Sequence, residues 1–120
     1  MTSVIRGDDN FDSGDQITLA PAYNTGPVTY STSQTVSHGL GRVPYMYDIR
    51  IRCKAANNGY SVGDEMSVKN MVDGDGARGY LGYVNASTMN YRADTINIQN
   101  TSADYATGSA SQWDLVFYAW

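Results

Sequence analysis

A chain of 120 residues with a formal net charge of −4 fits one domain and lacks the basic footprint of a nucleic-acid binder. Charged residues are only 17% of it, whereas Gly (12) and Tyr (10) are frequent, which favours short strands and turns over helices. One cysteine excludes an internal disulfide, and neither a bilayer-long apolar run nor a secretory leader pattern is present, so no membrane insertion is expected and synthesis in a cytoplasm is.

Residues 1–29 read as an extended attachment segment, with Asp8, Asp9, Asp12 and Asp15, a short apolar piece around Ile17 and Leu19, and turn signals at Pro21, Gly26 and Pro27. Asp8-x-Asn10-x-Asp12 opens like a calcium loop. Ser13 then stands at the glycine position and Leu19 at that of the bidentate Glu, so no metal is assigned. The rest, 30–120, reads as a β-sandwich domain.

Thr29 to Ser37 is rich in Thr, Ser and Val and predicts a strand. It runs into HGLGRVP, where Gly39, Gly41 and Pro44 mark a fixed corner. The next stretch alternates: Tyr45, Tyr47, Ile49, Ile51, Cys53 and Ala55 share one face, while Met46, Asp48, Arg50, Arg52 and Lys54 share the other. This long strand is expected beside Thr29–Ser37. Its cationic face is expected to meet water or a neighbouring subunit. Asn58-Gly59 signals a tight turn before GYSVGDE, and Glu65 to Met71 predicts a strand carrying Met66, Val68 and Asn70 on one face.

Residues 72–79 read as a Gly/Asp-rich loop; Tyr80–Val84, Thr88–Arg92 and Thr95–Gln99 predict three further short strands. Asn100 to Ser111 reads as a polar loop. The closing QWDLVFYAW puts Trp113, Leu115, Phe117 and Ala119 on one face and Asp114, Val116, Tyr118 and Trp120 on the other. Seven to eight short strands without helical periodicity predict an all-β, antiparallel sandwich.

Catalytic constellations are weak. His38 is the single histidine, lies outside any nucleophile elbow, and reads as a turn residue bonded to backbone. Cys53 has no partner base and a buried position. Asp73 and Asp75 are spaced for a carboxylate pair, but a glycine-rich loop positions them poorly, so a solvated turn is the expected reading and no enzyme is assigned. Tyrosines interleaved with asparagines suit a polar or sugar-like surface instead, a rigid ring with a hydroxyl beside an amide that donates and accepts. The candidate contact loops are Gly59–Glu65, Val72–Tyr80 and Asn100–Ser111, with Tyr60, Asp64, Asp73, Asp75, Arg78, Tyr80, Tyr91 and Tyr105 as binding residues. Arg50, Arg52, Tyr118 and Trp120 are the candidate subunit-interface residues.

HGLGRVP, the strand ending IRCKAA, GYSVGDE and WDLVFYAW, in that order, resemble the C-terminal domain of bacteriophage tail-fibre and related virion proteins, and VIRGDDNFDSG is similar to a segment preceding such domains. More loosely, the pattern is similar to trimeric H-type lectin sandwiches. The resemblance implies a homotrimer displayed on a virion, joined to other virion proteins through residues 1–29 and contacting a host-surface glycan or receptor protein. Residues 1–29 contain no collagen-like or heptad repeat of a shaft, which keeps a capsid decoration or head-fibre protein as the alternative.

Overall fold

The computed structural model describes residues 20–71, 80–93 and 95–120. They form ten short antiparallel strands: β1 (Tyr23–Asn24), β2 (Val28–Thr29), β3 (Ser33–Ser37), β4 (Tyr47–Cys53), β5 (Glu65–Ser67), β6 (Tyr80–Val84), β7 (Thr88–Ala93), β8 (Ile96–Gln99), β9 (Tyr105–Gly108) and β10 (Trp113–Ala119). The main sheet runs β1-β10-β4-β5 with β2 also on β10; a second sheet runs β3-β7-β6, and β8 pairs with β9.

The two alternating segments form the middle of the main sheet. β4 and β10 pair along seven residues, from Trp113↔Cys53 to Ala119↔Tyr47. Ile49, Ile51, Cys53, Trp113, Leu115, Phe117 and Ala119 all turn inward and are buried. Against them pack Met89 and Tyr91 of β7 and Ile96 and Ile98 of β8, which makes one apolar core between the sheets. Gly82 of β6 lets the sheets approach closely, since a Cβ there would lie 3.2 Å from Ile49 Cδ1. The Tyr47 hydroxyl then reaches across to donate to the Gly82 carbonyl at 3.2 Å.

Several sequence expectations change. Thr29–Ser37 is not one strand: it breaks at Tyr30, which turns into the core, and β3 pairs with β7 instead of β4. Tyr45 is 84% exposed and does not share the buried face. Tyr45 N–H donates to the Trp120 carbonyl and Trp120 N–H to the Met46 carbonyl, so two residues face one, a bulge that turns Tyr45 outward. There Arg42 lies 3.9 Å over its ring. Glu65–Met71 is strand only to Ser67, because Ser67 Oγ accepts from Lys69 N–H at 3.2 Å and caps a 3-10 turn over Val68–Asn70. The loop expected at Asn100–Ser111 contains β9. Tyr23–Asn24 and Val28–Thr29, inside the stretch read as 1–29, pair with β10.

The corner at HGLGRVP is fixed by His38, which is buried. Its Nδ1 accepts from Leu40 N–H at 3.0 Å and its Nε2 lies 2.9 Å from the Asn85 carbonyl, so the ring carries its proton on Nε2 and ties the corner to the β6–β7 turn. Gly39 and Gly41 take positive φ beside it.

Gly108 has a packing role. A Cβ there would stand 2.7 Å from both Cδ1 and Nε1 of the Trp113 indole, which is fully buried. Gly108→Ala is expected to cost about 1–3 kcal/mol, because the indole must shift within a filled core. Chemical denaturation that leaves the midpoint unchanged would show that the ring has room.

A cleft between two turns and a strand end

β8 ends at Gln99, and the chain reverses through Asn100–Asp104 to enter β9. Asn100 builds that reversal: its Oδ1 accepts from Ser102 N–H at 2.8 Å and Asp104 N–H at 3.0 Å, and its own N–H donates to the Asp104 carbonyl at 2.7 Å. Ala103 completes it in a left-handed conformation, with φ +68°.

Opposite stands the Asn57–Tyr60 turn. Asn58 and Gly59 have φ +54° and +91°, the two positive values of a type I′ turn, and Asn57 and Tyr60 exchange backbone bonds of 3.2 and 2.9 Å. The two turns interlock. Thr101 N–H donates to the Asn58 carbonyl at 3.2 Å, and a Cβ on Gly59 would collide with Thr101 Oγ1. The Tyr60 hydroxyl donates to the Gln99 carbonyl at 2.6 Å, and its ring meets Trp113 edge-on at 5.4 Å. Trp113 Nε1 in turn donates to Asn57 Oδ1 at 3.0 Å. A core residue thus holds the turn that carries Tyr60.

Between these turns and β5 lies a cleft of about 410 Å³, lined chiefly by Tyr60, Met66, Asn70, Gln99, Asn100 and Thr101. Its size falls in the range of ligand clefts, and among the described residues its lining carries no Asp, Glu, Lys, Arg or His. Among the described residues no group of three or more His, Cys, Asp and Glu is placed to hold a metal ion.

Of the binding residues read from the sequence, Tyr60 lines the cleft, and two of the three contact loops, Gly59–Glu65 and Asn100–Ser111, meet there. Asp64 is exposed, but its carboxylate accepts from Ser61 N–H at 2.8 Å and shapes its own turn. Tyr80 donates to the Lys69 carbonyl at 2.8 Å, and Tyr105, 54% exposed, donates to Asn97 Oδ1 at 2.9 Å. Tyr91 is a correction. It is fully buried, 2.8 Å from the Tyr30 hydroxyl, and serves the core. Asp73, Asp75 and Arg78, with most of Val72–Tyr80, lie outside the described residues, as does Asp8–Asp12. Met66, Asn70 and Gln99 lie outside the contact loops read from the sequence; the N-T-S-A-D run after Gln99 is an Asx-turn signature that marks where the reversal falls.

The outer face of the main sheet brings Arg50, Arg52 and Tyr118 together. Arg50 Nε lies 2.7 Å from Asp48 and its Nη1 3.1 Å from Glu65; Arg52 lies 3.5 Å from Glu65, and Lys54 3.3 Å from Asp114. Tyr118 donates to Glu65 at 3.0 Å while Arg50 sits 4.8 Å over its ring. The hydrogen bond to Asp48 foremost raises the guanidinium pKa of Arg50, and burial foremost, then Glu65, raises that of Tyr118. Trp120 ends the row, its ring 6.4 Å from that of Tyr118. Each cation here has a carboxylate within reach, which is a poor track for phosphates.

The chain matches no protein-family model, no curated protein and no solved structure.

Proposed function

We propose that this chain is a non-catalytic bacteriophage virion protein, a tail-fibre or tail-tip domain that assembles as a homotrimer and contacts a host-surface glycan or receptor protein through its loops. The observation that carries the reading is the cleft. Two separate turns, interlocked and anchored to a core tryptophan, present one aromatic ring and several amides around a space of ligand size. A sandwich holding a polar recess, with no charged side chain among its described lining residues, suits binding better than bond cleavage. The likeness of HGLGRVP, GYSVGDE and WDLVFYAW to tail-fibre domains supplies the biological setting.

Electron microscopy of virions labelled with antibody to this chain is expected to mark the tail tip or fibres; label spread over the head would replace this reading with a capsid decoration or head-fibre protein. Sedimentation is expected to give about three times the 13.1 kDa chain mass. The outer face of β4 and β10 is the surface assigned to subunit contact, because its three cations and three carboxylates can re-pair across copies. Arg50→Ser combined with Arg52→Ser is therefore expected to shift the trimer towards monomer at micromolar concentration. Exposed pairs stabilise a monomer little, so an unchanged midpoint at low concentration with unchanged sedimentation would make this face plain surface.

A further inference from the structure

We infer that the cleft beside Tyr60 takes a neutral, polyhydroxylated ligand, an uncharged sugar unit, and discriminates against charged ones. The inference rests on reading the loops as glycan-contacting and adds the class of sugar.

The free polar atoms of the lining carry it. Asn100 Oδ1 is taken by two backbone N–H groups, so the amide cannot turn over, and its Nδ2 has no hydrogen-bond partner among the described residues. Gln99 is the reverse case: its Nε2 donates to the Ala103 carbonyl at 3.2 Å, and its Oε1 remains open. Asn70 and Thr101 lend their side chains to no hydrogen bond among the described residues, so the lining offers a further amide and a hydroxyl. A sugar hydroxyl donates and accepts at once, and a wall holding fixed donors beside fixed acceptors matches that chemistry. Tyr60 and Met66 supply apolar surface for the C–H side of a sugar ring.

Charge selects within this class. An anionic sugar entering the cleft would shed water without meeting a cation among the described lining residues, and it would approach a chain of net charge −4. A cationic one would find no carboxylate among the described lining residues.

The test is calorimetric titration of the full chain with neutral oligosaccharides built from glucose, galactose, mannose and N-acetylglucosamine, beside sialylated and uronic-acid counterparts. Binding of one or more neutral members, with charged counterparts weaker by about tenfold or more, is the expected result. Asn100→Asp keeps the Oδ1 acceptor that closes the turn while removing the two Nδ2 donors. Asn70→Ala removes an amide that makes no hydrogen bond among the described residues. Each is expected to weaken neutral-sugar binding by about tenfold with an unchanged thermal midpoint. Charged members binding best would overturn the neutral class and leave the glycan reading standing. Neutral binding untouched by both variants would overturn the cleft as the site. Failure of every member would overturn the inference together with the glycan reading.

Discussion

Trp113→Ala is expected to remove about 3–5 kcal/mol of stability, the largest effect of any single truncation proposed for this chain. The indole is fully buried at the start of β10 and paired with Cys53 in the main sheet. Gly108 has no side chain because the indole fills the space where one would stand, so the surrounding walls are already shaped to the ring. Removing it leaves a cavity that neighbouring strands, themselves hydrogen-bonded in ladders, cannot close. It also strands Asn57, whose Oδ1 then keeps only the amide of Asn58 at 2.8 Å. Urea unfolding followed by far-ultraviolet circular dichroism measures the loss. Trp113→Phe separates the two contributions, since it restores most of the volume and none of the N–H. Were Phe to recover the full stability, the bond to Asn57 would contribute nothing, and the Asn57–Tyr60 turn would owe its position to packing alone. The variant also bears on the cleft, because the Tyr60 ring rests edge-on against this indole.

How far the sequence reveals these features depends on what each residue can do alone. β4 and β10 were legible because one face must be apolar and the strands are long enough for alternation to show, from Ile49 to Cys53 and from Trp113 to Ala119. β9 was not. Tyr105 and Thr107 are exposed, and the inward positions are Ala106 and Gly108, too small for an apolar alternation to show in the sequence. Pairing was misread for a related reason. Chain neighbours usually pair, yet the corner held by His38 sends β3 into one sheet and β4 into the other. For the site, Tyr60 and the asparagines were legible as suitable chemistry, and the Asn-Gly turn as local geometry. Which loops meet was not, because it depends on contacts such as Gly59 with Thr101 that lie far apart in sequence. Tyrosine itself misleads: the same side chain serves a cleft at Tyr60 and a core at Tyr91.

That core tyrosine leads to the second large effect, a loss of stability in alkali. The Tyr30 and Tyr91 hydroxyls lie 2.8 Å apart, their rings edge to face at 5.7 Å, and both residues are buried. Burial, above all, raises both pKa values above the ordinary 10.0; for Tyr91 the hydrogen bond and the charge of Tyr30 add to it. Below the unfolded value both states hold their protons, and the full stability is present. As pH rises past 10, the unfolded chain gives up protons that the folded one keeps, so the unfolding free energy falls until the folded pKa is reached. Each tyrosine adds a slope of about 1.4 kcal/mol per pH unit in that window. Denaturation at about pH 8 and about pH 11 is expected to differ by roughly 2 kcal/mol or more. Tyr91→Phe is expected to cost about 1–3 kcal/mol at neutral pH, because it leaves the Tyr30 hydroxyl buried without its partner. Replacing both tyrosines by Phe removes both polar groups, so neutral stability should nearly return while the alkaline slope flattens. A double variant that kept the steep slope would place the alkaline lability elsewhere, with Cys53 and Tyr118, whose pKa values burial also raises, as the next groups to examine.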